Sequence, residues 1–193
     1  MHHIYHTEGI ILGSKNYSEA GKYYAIFTRE LGMLYASAQG VRKMSSKLRF
    51  ILQDFSHLKI DLVRGKDFWR ITSASKMNEL REIKKEKRKL SILVNISNLL
   101  KRLLAGEEPN HPLFANLLAG FLFLEKSRLE SEWRNIEIII VLRTLHHLGY
   151  LRGSEWLNRL LQLPWGEDLI QEANRERNKI LSEINRALEG SQL

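Results

Sequence analysis

The chain has 193 residues, 44% of them hydrophobic, which suits one medium domain or two small packed ones and excludes a disordered chain. Thirty Lys and Arg against 22 Asp and Glu give a formal net charge of +8 and a pI near 9.7, a field that attracts polyanions. The lack of cysteine excludes disulfides, thiol nucleophiles and Cys-based zinc sites. The stretch from Met1 to Glu8 has no basic segment followed by an apolar one, so no signal peptide is expected. The longest charge-free apolar run, Ile138 to Leu142, is far too short for a bilayer, and the expected location is cytoplasmic, with no membrane partner.

In chain order, residues 1–78 read as strands. Glu8 to Leu12 is a short apolar run that ends at Gly13-Ser14, and Lys22 to Thr28 is rich in the aromatic and β-branched residues that strands favour. Glu30-Leu31-Gly32 looks like a hairpin turn into Met33 to Gln39, where Leu34, Ala36 and Ala38 share one face and Tyr35, Ser37 and Gln39 the other. Ser46 to Leu52 suits a short helix. His57 to Leu62 alternates, with Leu58, Ile60 and Leu62 inward, and the turn Arg64 to Asp67 leads into Phe68 to Thr72. Five strands with a short helix between the third and fourth suggest a small closed barrel, the architecture of the OB-fold.

After Ser75 the period becomes helical. Arg81 to Leu104 repeats its leucines at three and four residues until Gly106 to Asn110 interrupts it. Pro112 to Lys126 and Trp133 to Leu148 follow; the latter is apolar nearly all round from Glu137 to Leu142, which makes it the central helix, and Gly149 ends it. Glu155 to Leu163 stops at Pro164, and Asp168 to Leu188 is the last. The expected fold class is therefore α+β: an OB-fold barrel over residues 1–78 and an all-α domain over residues 79–193. The barrel carries 12 Lys and Arg against 6 Asp and Glu, so most of the charge excess lies there.

The densest basic segment, Gly40 to Arg49, holds Arg42, Lys43, Lys47 and Arg49 beside Ser45 and Ser46, all able to contact phosphate oxygens. A flexible turn after Gly40 would let them follow an irregular backbone. Arg64, Lys66 and Arg70 form a second rank, interleaved with Phe68 and Trp69, which either stack on unpaired bases or plug the barrel. Lys84 to Lys89 is a further basic run, read as solvated helix surface or as an extension of a nucleic-acid path. His2 and His6 have metal-like spacing on an N-terminal segment where it means little, and His146 and His147 lie about 100° apart on a helix, so no metal site is expected. No nucleophile elbow, P-loop, dinucleotide fingerprint or zinc-protease motif occurs, so neither an enzyme nor a cofactor is expected.

The ordered string Thr7-Glu8-Gly9-Ile10-Ile11-Leu12, Tyr17-Ser18-Glu19, Phe27-Thr28-Arg29-Glu30-Leu31-Gly32 and Gly40-Val41-Arg42-Lys43 closely resembles the start of bacterial RecO, a family of recombination mediators. Ser46 to Arg49 and Leu52-Gln53-Asp54-Phe55 continue the likeness, and Leu142 to Leu151 looks like that family's "LGY" helix end. The resemblance implies an OB-fold and a helical domain that bind single- and double-stranded DNA, anneal complementary strands, partner RecR and thereby help load RecA. It also implies that the helical domain binds the acidic C-terminal tail of the single-stranded DNA-binding protein. Such a tail needs an apolar pocket rimmed by cations, for which Arg128, Arg134 and Arg143 are the candidates. Many members carry a four-cysteine zinc module after the "LGY" helix, where this chain reads Arg152-Gly153-Ser154-Glu155, so a zinc-less, short member is implied. The competing readings are an RNA-binding OB-fold adaptor, since stacking needs no 2′-hydroxyl, and a protein-interaction scaffold.

Overall fold

A computed structural model describes residues 3–66, 68–78 and 80–190; the expectations that touch His2, Asp67 and residue 79 lie outside them. Five strands come first: β1 (Ile4–Asn16), β2 (Lys22–Thr28), β3 (Gly32–Ala38), β4 (His57–Arg64) and β5 (Trp69–Asn78), with the one-turn helix α1 (Leu48–Ile51) between β3 and β4. They close into a barrel in the order β1-β2-β3-β5-β4, antiparallel throughout except for the short parallel pairing of β3 with β5. This is the five-stranded OB architecture.

The inward set is the one the alternation predicts: Leu34, Ala36 and Ala38 from β3 and Leu58, Ile60 and Leu62 from β4 meet Ile11, Tyr24 and Ile26 in one core. β1 is much longer than the Glu8–Leu12 run, because its polar ends still pair with β2 and β4. Its register slips between Ile11 and Gly13, placing one extra residue there, and Gly13 takes a φ of 154° that other residues rarely adopt. Ile10, Leu12, Ala25, Phe27 and Met33, on the outer face of β1 to β3, are also buried. The unbroken run Ile10-Ile11-Leu12 is the sequence sign of a strand covered on both faces.

Seven helices follow among the described residues: α2 (Arg81–Lys85), α3 (Lys87–Leu103), α4 (His111–Lys126), α5 (Glu130–His147), α6 (Glu155–Gln162), α7 (Glu167–Arg175) and α8 (Arg177–Gly190). Two helices expected to be continuous are divided, at Glu86 and at Glu176. In each case the i→i+4 ladder resumes beyond the break, with Leu90 N donating to Glu86 O and Ile180 N to Glu176 O. α5 is buried nearly all round and packs against α6, α7 and α8, as its apolar circumference requires. Its end is a Schellman closure: Gly149 at φ 80° donates to His146 O, and Tyr150 N donates to Leu145 O.

The chain forms two compact units that are not separated by one cut. The first comprises residues up to Leu80 together with Ser97–His111, and the second Arg81–Ile96 together with Pro112 onward. Within the first unit, Met33 N donates to Gly106 O at 3.1 Å. A Cβ on Gly32, whose φ is 69°, would stand 2.6 Å from the Glu108 amide nitrogen, so the 104–111 segment packs directly on the β2–β3 turn.

Candidate nucleic-acid interface

The barrel register assembles the site. Lys15 pairs with Tyr23, Tyr23 with Ser37, and Ser37 with Arg70, so one row crosses β1, β2, β3 and β5. Since Tyr24 and Ala36 point into the core, this row points out. Tyr17, on the β1–β2 loop, places its ring 4.3 Å from that of Tyr23, and Phe68, on the β4–β5 loop, meets the other side of Tyr23 at 5.3 Å. Tyr17 is exposed and Tyr23 and Phe68 are half-buried, while Tyr35 adds a further exposed ring on β3. Barrels of this topology take oligonucleotides on the strand 2–3 face flanked by these same two loops.

Trp69, one of the two stacking candidates, is 3% exposed and belongs to the barrel core. Its indole N–H donates to Glu107 Oε1 at 2.9 Å, its ring packs edge-on to Tyr5, and it offers no face to a base. Parity explains the assignment: Trp69 is paired with the inward Ala36, and its neighbour Arg70 with the outward Ser37. Arg70 and Lys66 are exposed. Arg64 is exposed too, but its guanidinium is engaged, 2.9 Å from Glu107 Oε2 and 5.2 Å from the Trp69 ring.

Arg42, Lys43, Lys47 and Arg49 are all exposed. The segment after Gly40 (φ 67°) is a chain of tight turns: Lys43 N donates to Gly40 O, Ser46 N to Lys43 O, Arg49 N to Ser46 O and Phe50 N to Lys47 O. Lys47 stands at the N-cap position of α1 without a side-chain capping bond, and the four residues of α1 keep Arg49 on the surface. Arg42 ties this segment to the β1–β2 loop, donating through Nη1 to Ser18 O at 3.1 Å and through its amide to Ala20 O. Beside that tie, Lys22, Arg42 and Arg49 line a cleft of about 510 Å³ with Asn16 and Gln53. Met44 and Phe50, 83% and 66% exposed, stand among these cations. The sequence reading missed both; the signal for Phe50 was an aromatic directly after Arg49 on a helix too short to bury it.

The second unit treats its cations differently. Arg143 is 5% exposed on α5, donating to Leu160 O and Leu163 O and, at 3.1 Å, to Asn116 Oδ1. Burial holds its pKa down to about 10, so it is still charged at neutral pH, but its donors face protein carbonyls and not a partner. Lys89, expected on a solvated face, is buried: Nζ donates to Glu125 O at 3.2 Å and Ser127 O at 2.6 Å and lies 4.8 Å from the Trp133 ring. Arg88 pairs with Glu130, and Lys85 with Glu82. Arg128 and Arg134 are exposed but in different hollows. Arg128 borders one with Glu82, Glu86, Glu125 and Glu130 but also Lys85, Lys89 and Lys126. Arg134 borders one of about 630 Å³ with Arg88, Arg177, Ile92 and Trp133 but also Glu130 and Glu137.

Residues 1–79 match the family model described as the recombination protein O N terminal. The chain is 30% identical over 150 residues to the DNA repair protein RecO of Heliobacterium modesticaldum, an alignment covering 76% of this chain and 52% of that protein. It is 27% identical over 135 residues to that of Alkaliphilus metalliredigens, covering 68% and 54%. With that of Thermodesulfovibrio yellowstonii it shares 29% over 148 residues, covering 76% and 58%. The chain thus spans a little over half the length of these curated relatives. No helix among the described residues is long and apolar enough to cross a membrane. Residues 1–79 are similar to the RecO N-terminal domain, and over three quarters of its length the chain is similar to RecO proteins.

Proposed function

We propose that this protein is a DNA repair and recombination mediator that binds DNA on the outer face of its barrel, anneals complementary strands and helps load recombinase onto coated single strands. The carrying observation is the aromatic trio Tyr17, Tyr23 and Phe68, set between the two hairpin loops and next to Arg42. Unpaired bases stack on such rings without regard to sequence, while Arg42, Lys43, Lys47 and Arg49, with Lys66 and Arg70 in support, neutralise phosphates. Annealing then requires no catalytic group. Cations hold two strands close, phosphate contacts position them, and base pairing supplies the specificity. Double-stranded DNA binds through the phosphate contacts alone.

The partner assignments follow from the likeness to RecO proteins: RecR, and through it RecA, and the acidic C-terminal tail of the single-stranded DNA-binding protein. For the tail we assign the hollow lined by Arg88, Arg134, Arg177, Ile92 and Trp133, which joins an apolar floor to cations although Glu130 and Glu137 also border it. The hollow at Arg128 sets four glutamates against Lys85, Lys89, Lys126 and Arg128, and with Lys85 paired to Glu82 and Lys89 buried it suits an acidic ligand less well.

The test is titration of fluorescent single-stranded DNA across a salt series, with wild type and with Arg42, Lys43, Lys47 and Arg49 all changed to Ala. Four lost phosphate contacts make the log–log salt slope shallower by roughly 3 units, at about 0.7 per contact. An unchanged slope moves the site off this segment, and a strong preference for RNA of the same sequence favours an RNA adaptor.

A further inference from the structure

The cleft beside the β1–β2 loop has features that a surface tracking a continuous strand does not require. Its cations, Lys22, Arg42 and Arg49, come from β2, the turn after Gly40 and α1, and converge on one hollow of about 510 Å³. That lies within the range of pockets that hold small ligands and far exceeds the roughly 30 Å³ of one water. Tyr24 also borders it. This side chain is 1% exposed, and its hydroxyl is buried with no hydrogen-bond partner among the described residues. Burial, with Asp54 acting in the same sense, pushes its pKa to about 12, so the hydroxyl stays a donor at any physiological pH. A buried donor left unsatisfied is costly and asks for an acceptor.

Lys22, Arg42 and Arg49 bring three positive charges to a lining without a carboxylate. Asp54 acts on Tyr24 from outside the lining, its buried Oδ1 not hydrogen-bonded to the Tyr24 hydroxyl, and counting it still leaves an excess of two. A phosphodiester carries one negative charge, whereas a phosphomonoester carries about −1.5 to −2 at neutral pH and three acceptor oxygens. Arg42 is held in place by Ser18 O, which pre-orients its fork for bidentate contact.

Resting on the DNA-binding reading above, we propose that this cleft takes the terminal phosphomonoester of a nucleic-acid strand, so that the barrel recognises strand ends as well as strand interiors. Lys22, Arg42 and Arg49 bind the phosphate, the Tyr24 hydroxyl donates to one of its oxygens, and the Asn16 and Gln53 amides border the terminal sugar. The rest of the strand leaves the cleft past Ser18 toward Tyr17 and Tyr23.

The experiment measures affinity of the full chain for one labelled single-stranded oligonucleotide with a 5′-phosphate, a 3′-phosphate or neither, at one salt concentration. The expected result is binding at least about tenfold tighter to one of the phosphorylated ends, the effect of a further charge-assisted hydrogen bond. Which end wins identifies the polarity. Tyr24→Phe reduces that preference, and an Arg42→Ala, Arg49→Ala double variant abolishes it; the double variant also binds the unphosphorylated strand more weakly, so the readout is the ratio of the two affinities. Pyrophosphate competes away the preference before it competes away binding. Equal affinity for all three oligonucleotides overturns the inference and leaves the DNA-binding reading intact, as does a preference that survives the double variant. Absence of binding to any of them overturns both.

Discussion

The barrel and the helical unit use the same residue types to opposite ends. In the barrel, Arg42, Lys43, Lys47 and Arg49 stay exposed around a one-turn helix with Met44 and Phe50, even where Arg42 donates to Ser18 O and Arg49 to Met44 Sδ. In the helical unit, Arg143 and Lys89 are inside, each donating to backbone carbonyls at the ends of helices and each set against a tryptophan ring, Trp165 and Trp133. A helix end leaves carbonyls unpaired, and a long cationic side chain can reach them while burying its stem. Net charge therefore overstates how many cations of the helical unit can touch a ligand, because some of them are internal hydrogen-bond donors. Availability, not count, decides where a polyanion binds.

The largest expected effect tests the internal half of this contrast. Arg143→Ala leaves Leu160 O, Leu163 O and the Asn116 amide without their donor. It lowers unfolding free energy by about 3 kcal/mol in urea titrations and leaves affinity for single-stranded DNA unchanged below the transition. A DNA defect in folded protein breaks the contrast. The external half is sharpened by Tyr17→Ala or Phe68→Ala, each expected to cost about 1–3 kcal/mol of binding, roughly 5- to 150-fold in Kd by fluorescence anisotropy, with little change in melting temperature. Trp69→Phe is the control from the same hairpin: loss of the bond to Glu107 costs about 1 kcal/mol of stability with affinity intact, because the ring faces inward.

The smallest effect is one of pH. Burial lowers the pKa of His57, with Arg29 acting in the same sense and Glu8, 3.5 Å from Nε2, against it. As pH falls below about 6.5, the unfolded chain takes up this proton before the folded one does. Stability is therefore complete above that value and declines as pH falls toward the depressed folded pKa. His147, lowered chiefly by burial, contributes in the same direction. His57→Gln flattens the decline without removing it, as read from melting temperatures between pH 7 and pH 5. An unchanged profile shows that His57 is not one of its sources.

The strands and their inward faces were readable because period 2 needs only local sequence. Leu34, Ala36, Leu58, Ile60 and Leu62 sit where alternation puts them. The proposed stacking site was not readable, because Tyr17, Tyr23 and Phe68 meet only once β2 has its neighbours and both hairpin loops are formed. Trp69 and Arg70 illustrate the same gap: which of two neighbours faces out depends on the register against β3, and a slip of one residue exchanges them. Arg143 left a usable trace, since a lone arginine beside Leu142 in a helix apolar nearly all round has little surface to reach. The breaks at Glu86 and Glu176 left none, both falling within charged runs that carry no apolar period.

Glu107 also fixes a sequence of events. It receives the Trp69 indole proton and pairs with Arg64, while Gly106 accepts from Met33 on the β2–β3 turn. The five strands are complete in the nascent chain at Asn78, yet these partners are synthesised about 30 residues later. At about 5–20 residues per second, the ribosome takes roughly 2–6 s to supply them. Through that interval the barrel is a set of paired strands with Trp69 and the outer face of β1–β3 not yet covered. The barrel therefore completes folding only once α3 and the residues after it have emerged.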